Sequence, residues 1–188
     1  MFEFLKRLFG INPVIDHEGE KTWYCHGKIC RKNGPAVIRS NGDQLWYYFG
    51  FIHRENGPAI ETADGDKAWY IMGKRHREDG PAIECANGNK FWYLNGKLCR
   101  IDGPAIEYAS GKKEWYFYGS LHNRTGPAVI CNNGDRLWYF SGVLHRTNGP
   151  AIEKANGDKL WYHYGNLITT SVHQKFLPSK LNWLKEGF

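Results

Sequence analysis

The pair Trp-Tyr begins at Trp23, Trp46, Trp69, Trp92, Trp115, Trp138 and Trp161, each 23 residues after the last. Gly-Pro-Ala keeps the same step, beginning at Gly34, Gly57, Gly80, Gly103, Gly126 and Gly149. No insertion or deletion breaks the register. Self-similarity at a fixed short period specifies a stacked repeat architecture, in which one supersecondary unit recurs and buries its faces against its neighbours. The unit reads W-Y-x-x-G-x-L-H-R-x-(N/D)-G-P-A-I-E-x-A-N-G-D-K-x. A half unit at 17–22 leads into it, and the fragment "WYHYGNLI" at 161–168 closes the array.

Two turn signals recur in every unit. One is the Gly four residues after Trp, as in "YLNGKL" at 93–98; the other is the Asn/Asp/Ser-Gly step, as in "ANGD" at 155–158. Asn-Gly between short apolar stretches marks a hairpin because it supplies positive φ at little cost. The segment 158–162, "DKLWY", reads as one strand, and 149–153, "GPAIE", as its antiparallel neighbour, with Pro150 where no ladder donor is lost. The Gly and Pro that interrupt each unit argue against helix. The expected fold is therefore all-β: an elongated single-layer or curled antiparallel ribbon of stacked hairpins over 16–168.

Successive strand residues point to opposite faces, so Trp and Tyr each found a separate aromatic ladder. Val37, Ile60, Ile83, Ile106, Val129 and Ile152 can join one of them, as can Ile29, Ile52, Leu98, Leu121 and Leu144. The flanks read as short helical caps. Phe2, Leu5 and Phe9 share a face within 1–15; Leu177, Leu181, Leu184 and Phe188 do so within 169–188. Residues 1–9 also suit a membrane surface, being aromatic and basic.

Composition narrows the functional classes. Aromatics at 15% and hydrophobics at 41% fit a folded chain. A net charge of +6 and a pI near 9.0 permit acidic partners without requiring them. Five cysteines, an odd number, fit a reducing compartment, so a cytoplasmic setting is expected. No apolar run approaches the ~20 residues of a membrane span, and the N-terminus lacks a leader's small-residue cleavage site.

Two columns look chemical. His or Cys recurs at Cys30, His53, His76, Cys99, His122 and His145. Strands lie ~4.8 Å apart, so equivalent residues of adjacent two-stranded units are ~10 Å apart. Zinc ligands must converge to ~2.0–2.3 Å, so no metal and no cofactor is expected; each imidazole should bond neighbouring backbone instead. Cys25 and Cys30 are the one pair near enough in sequence to face each other across a hairpin. The next column, Arg31, Arg54, Arg77, Arg100 and Arg146, is broken by Asn123. It offers a stripe for nucleic acid or an anionic nucleotide. The competing reading pairs Arg with Glu61, Glu84, Glu107 and Glu153, because the fifth unit loses both charges together as Asn123 and Ile130. Off-pattern residues such as Arg75, Ile101, Asn123 and Glu114 are scattered, and no catalytic or phosphate-loop motif stands out.

The combination of Trp-Tyr, Gly-Lys-x-His/Cys and Gly-Pro-Ala, best seen in "WYLNGKLCRIDGPA" (92–105) and "WYIMGKRHREDGPA" (69–82), resembles the MORN repeats over 17–168. It is closest to their variant branch. The resemblance implies single-layer stacked hairpins that serve as protein-interaction or membrane-associated scaffolds. The variant branch includes antitoxin or immunity components and arrays encoded by bacteriophages and large DNA viruses. Gly-Pro-Ala stands here where the main family has Gly-x-Gly, so the resemblance does not carry the family's lipid binding over to this chain.

These readings lead to a non-catalytic protein that binds another protein as scaffold or inhibitor, in an antitoxin, immunity or viral anti-host role, in the host cytoplasm if viral. The Arg stripe and the membrane surface supply alternatives, and the ribbon's ends leave oligomerisation open. The candidate contacts are the residues after Trp-Tyr: Tyr48, Phe49, Ile71, Met72, Leu94, Phe117, Tyr118, Phe140 and Tyr164. Exposed aromatics on a rigid surface are the usual anchors of an interface.

Overall fold

The computed structural model describes residues 13–168. The expected C-terminal helix and all but the last three residues of the expected N-terminal cap lie outside the described residues, as does the 1–9 segment. Val14–Ile15 pairs with Lys21–Thr22, so the sheet begins ahead of the boundary expected at 16.

Every period of 23 residues builds four two-residue strands, seen around Trp69 at Lys67–Ala68, Tyr70–Ile71, Lys74–Arg75 and Ile83–Glu84. Trp69 joins the first two into one extended run. Its N–H donates to Ala82 O at 2.8 Å, and its carbonyl accepts from His76 N–H at 3.1 Å. The return path is broken by the loop 77–81, where Gly80 and Pro81 cannot sustain a ladder. One long strand thus faces two short ones, and the ribbon is two rows wide. Among the described residues, the inner row is a fourteen-stranded antiparallel sheet in chain order and the outer row is seven separate hairpins. The sheet's first and last strands do not pair with each other, so it stays open.

Within the inner row Lys67 stands opposite Glu61 and Glu84, and Ala68 opposite Ile60 and Ile83. Directly opposed residues share a face. One face therefore alternates basic residues and Glu along most of the sheet, with Gln44 in the basic column and Ile38 and Ile130 in the Glu column, and it also carries the Trp of each unit. The other carries the aliphatic column and, two residues on, the Tyr column. Both aliphatic series anticipated from the sequence fall on this second face, the hairpin series through pairs such as Tyr93↔Leu98.

The core is thin. No large side chain among the described residues is below 2% exposed, whereas the alanines of Gly-Pro-Ala, from Ala36 to Ala151, are all 0% exposed. The carbonyl of each of these alanines accepts the N–H of its unit's Trp at 2.8–2.9 Å, and with no surface left exposed a longer side chain would overpack the site. Glu114 interrupts the apolar column. It is buried, accepts from Tyr116 Oη at 3.1 Å and pairs with Lys112 Nζ at 2.6 Å. Burial and the Glu114 charge together push the Tyr116 phenol up to about 12.

Besides the sheet ladder and backbone bonds such as Arg54 N–H to Tyr70 O at 3.1 Å, units are tied to their neighbours by hydrogen bonds in three places. At the far turn, Asp43, Asp66, Asn89 and Asp135 each accept the N–H of the alanine twenty residues on, at 2.7–2.9 Å. At the near turn the Gly N–H reaches the preceding hairpin, as Gly73 does to Ile52 O at 2.8 Å. The third tie is the histidine column: Nδ1 of His53, His76, His122 and His145 accepts from Met72, Asn95, Ser141 and Tyr164 N–H at 3.1–3.3 Å. Each imidazole faces neighbouring backbone, as its half-buried placement required. Lys112 replaces the fourth unit's Asp or Asn, so there the Lys112–Glu114 pair stands in place of the turn tie.

Candidate interaction surface

The near turns carry the exposed aromatics. Each two-residue loop holds positive φ at both positions, as at Met72 (47°) and Gly73 (77°). This is the signature of a type I′ turn, whose first position favours Asn and whose second favours Gly. Only Asn95-Gly96 follows that preference. Phe49, Met72, Tyr118 and Tyr164 put large side chains at φ 46–49°, a conformation that costs a non-Gly residue ~1–2 kcal/mol.

These side chains project into solvent. Tyr118 is 59% exposed, Tyr164 56% and Tyr48 50%, with Phe49, Met72, Phe117 and Phe140 close behind. Ile71 and Leu94 are half-buried. On the hairpins, three further exposed residues were not singled out in the sequence: Phe51, Val143 and Leu167. Phe51 and Val143 follow the turn glycine, where other units place Lys74 and Lys97; that departure from pattern was the available signal.

The rings form two clusters. Tyr48 meets Phe49 edge-on at 4.8 Å and His53 at 5.6 Å. The larger cluster runs from Phe117 and Tyr118, 4.7 Å apart, through His122–Phe140 at 5.2 Å to Phe140–Tyr164 at 6.3 Å. His145 stacks on Tyr164 at 4.2 Å and 18°. Between the clusters, the third and fourth units present Ile71-Met72 and Leu94-Asn95, with no ring.

The arginine column is engaged differently. Arg31, Arg54, Arg77, Arg100 and Arg146 each lie 3.8–4.2 Å over the Trp ring of their own unit. Each donates Nη1 to the proline carbonyl four residues on, at 2.9–3.4 Å. All but Arg31 also pair at 2.8–3.0 Å with Glu61, Glu84, Glu107 or Glu153. The guanidinium fills the space beside the loop glycine; a Cβ on Gly80 would sit 2.9 Å from Arg77 Cζ. Arginine therefore closes the loop that breaks the return strand. Arg77 and Arg100 also hold the Asp79 and Asp102 carboxyls below their ordinary range, by hydrogen bond first.

The five cysteines are free thiols. Cys25 Sγ donates to Cys30 O at 3.2 Å, and burial, then Cys30, pushes that thiol up to about 12. No three His, Cys, Asp or Glu among the described residues are grouped to hold a metal ion. Comparison with protein-family models and with curated proteins found no match to either.

Proposed function

We infer that this chain is a non-catalytic binding ribbon that engages another protein along its row of hairpin tips and blocks or scaffolds it. The observation that carries the reading is the turn position itself. Large apolar side chains sit where Asn would be unstrained, and they face solvent. Both choices work against stability, the pattern expected of residues retained for contact. The resemblance to the variant MORN branch favours a blocking role of the inhibitor, antitoxin or immunity kind, exercised in a reducing cytoplasm where its cysteines stay thiols.

The arrangement of the arginines supports this over a nucleic-acid or nucleotide stripe. Their guanidinium groups are already shared among Trp, a proline carbonyl and, in four units, Glu. Retrieval of tagged protein from lysate of its native cells, at moderate and high salt, tests the choice. A stoichiometric protein retained at high salt and lost from a Phe49→Asn/Tyr118→Asn variant is the expected result. Nucleic acid released by salt, with tip variants indistinguishable from the parent, would overturn it.

A further inference from the structure

The fifth unit departs from its neighbours at two linked positions. Asn123 stands where the other full units have the clamping arginine, and Ile130 where four of them have its glutamate partner or, in the first unit, Ile38. Asn123 carries out the structural task alone. Its Nδ2 donates to Pro127 O at 2.9 Å, and its Oδ1 accepts from Thr125 N–H and Oγ1 at 3.1 and 3.2 Å. An arginine is still present, one residue later. Arg124 is not held by the loop and has no carboxylate within ion-pairing distance among the described residues; its guanidinium lies 5.7 Å over the Phe117 ring.

Arg124 also lines a 530 Å³ cleft with Phe117, Tyr118, His122 and Phe140. No carboxylate of the described residues lines it. Three other grooves of the described residues do contain acidic walls: Glu55, Glu78, Asp79 and Asp102. The cleft therefore combines apolar walls with an uncompensated positive charge, on the larger of the two aromatic clusters.

We propose that this cleft is the anchor point of the interface and receives an acidic peptide segment of the partner protein. An aromatic or aliphatic side chain of that segment lies between Phe117 and Phe140, and an adjacent Asp or Glu pairs with Arg124. The proposal rests on the protein-binding reading above. Its chemistry is that of a hot spot: a rigid aromatic wall excludes water around one charge-assisted contact.

The test is selection of a displayed random-peptide library on the full-length protein, followed by titration of the enriched peptide by fluorescence anisotropy. Enriched sequences should place Asp or Glu beside an aromatic or aliphatic residue. Arg124→Gln should weaken the peptide by about tenfold, about 1.4 kcal/mol, without shifting the melting temperature, and Lys32→Gln should leave it unchanged. Peptides lacking an acidic residue, or equal affinity for Arg124→Gln and parent, overturn the anchor. If those same peptides are lost from Phe49→Asn/Tyr118→Asn, the binding ribbon stands and its anchor lies elsewhere. Absence of any enriched peptide also overturns the anchor, leaving the retrieval experiment to judge the broader reading.

Discussion

Met72 and Asn95 occupy the same place in adjacent units, with φ of 47° and 50°, and only one of them suits it. Asparagine tolerates the left-handed region because its short amide bonds locally, whereas a long side chain does not. Met72→Asn should therefore stabilise the protein by ~1 kcal/mol, read as a higher urea midpoint, while removing an exposed apolar contact. Asn95→Met should cost a similar amount. Equal midpoints for parent and Met72→Asn would show that the turn is relaxed around methionine. The general pattern of two turns per unit, and the Arg–Glu partnership through its joint loss at Asn123 and Ile130, was legible in the sequence. The strain was not: position in a repeat identifies a turn, whereas φ at a bulky residue depends on the strand twist that the turn must match.

At the scale of the element, each hairpin from the second onward is held to the one before it by its turn Gly N–H, and four of them also by a bond from the residue before that Gly to a histidine. The imidazole tie works only while Nδ1 is unprotonated, because a protonated ring presents two donors. For His145, burial and then the charge of His163 lower the pKa below its ordinary 6.5. Tyr164 stacks on it, and Phe140 flanks it. The unfolded chain therefore takes up the proton at higher pH than the folded one. The contribution is fully present above 6.5 and is lost as pH falls through the lowered folded value. His145→Ala should be less stable than the parent by ~0.5–1.5 kcal/mol at about pH 8, with the gap narrowing toward about pH 5. A gap constant across that range, measured by urea unfolding, would refute the tie. The sequence foretold that these histidines bond backbone. It did not show that the partner is the next unit's turn, because a period fixes spacing along the chain and leaves open which edges abut.

Across the whole molecule, every tie described joins a unit to itself or to its immediate neighbour. Stability then approximates a sum of unit and interface terms, with no long-range closure to satisfy. Excision of residues 70–92, one period, joins Trp69 to Tyr93 in register. The shortened chain should keep the parent's far-UV circular dichroism per residue and unfold cooperatively, with a reduced m-value. Loss of the cooperative transition would reveal couplings beyond nearest neighbours. The broken return strand, which makes the ribbon two rows wide, was the largest feature missed in the sequence. Gly-Pro-Ala reads as the start of a strand in either arrangement. That invariant step has a metric consequence. Two strand spacings set each unit's advance at ~10 Å, so the ring clusters at Tyr48-Phe49 and Phe117-Tyr118, three units apart, stand ~30 Å apart along a straight ribbon. Unit number works as a caliper setting: a partner touching both clusters measures that gap, and one unit gained or lost between them resets it by ~10 Å while every local contact survives.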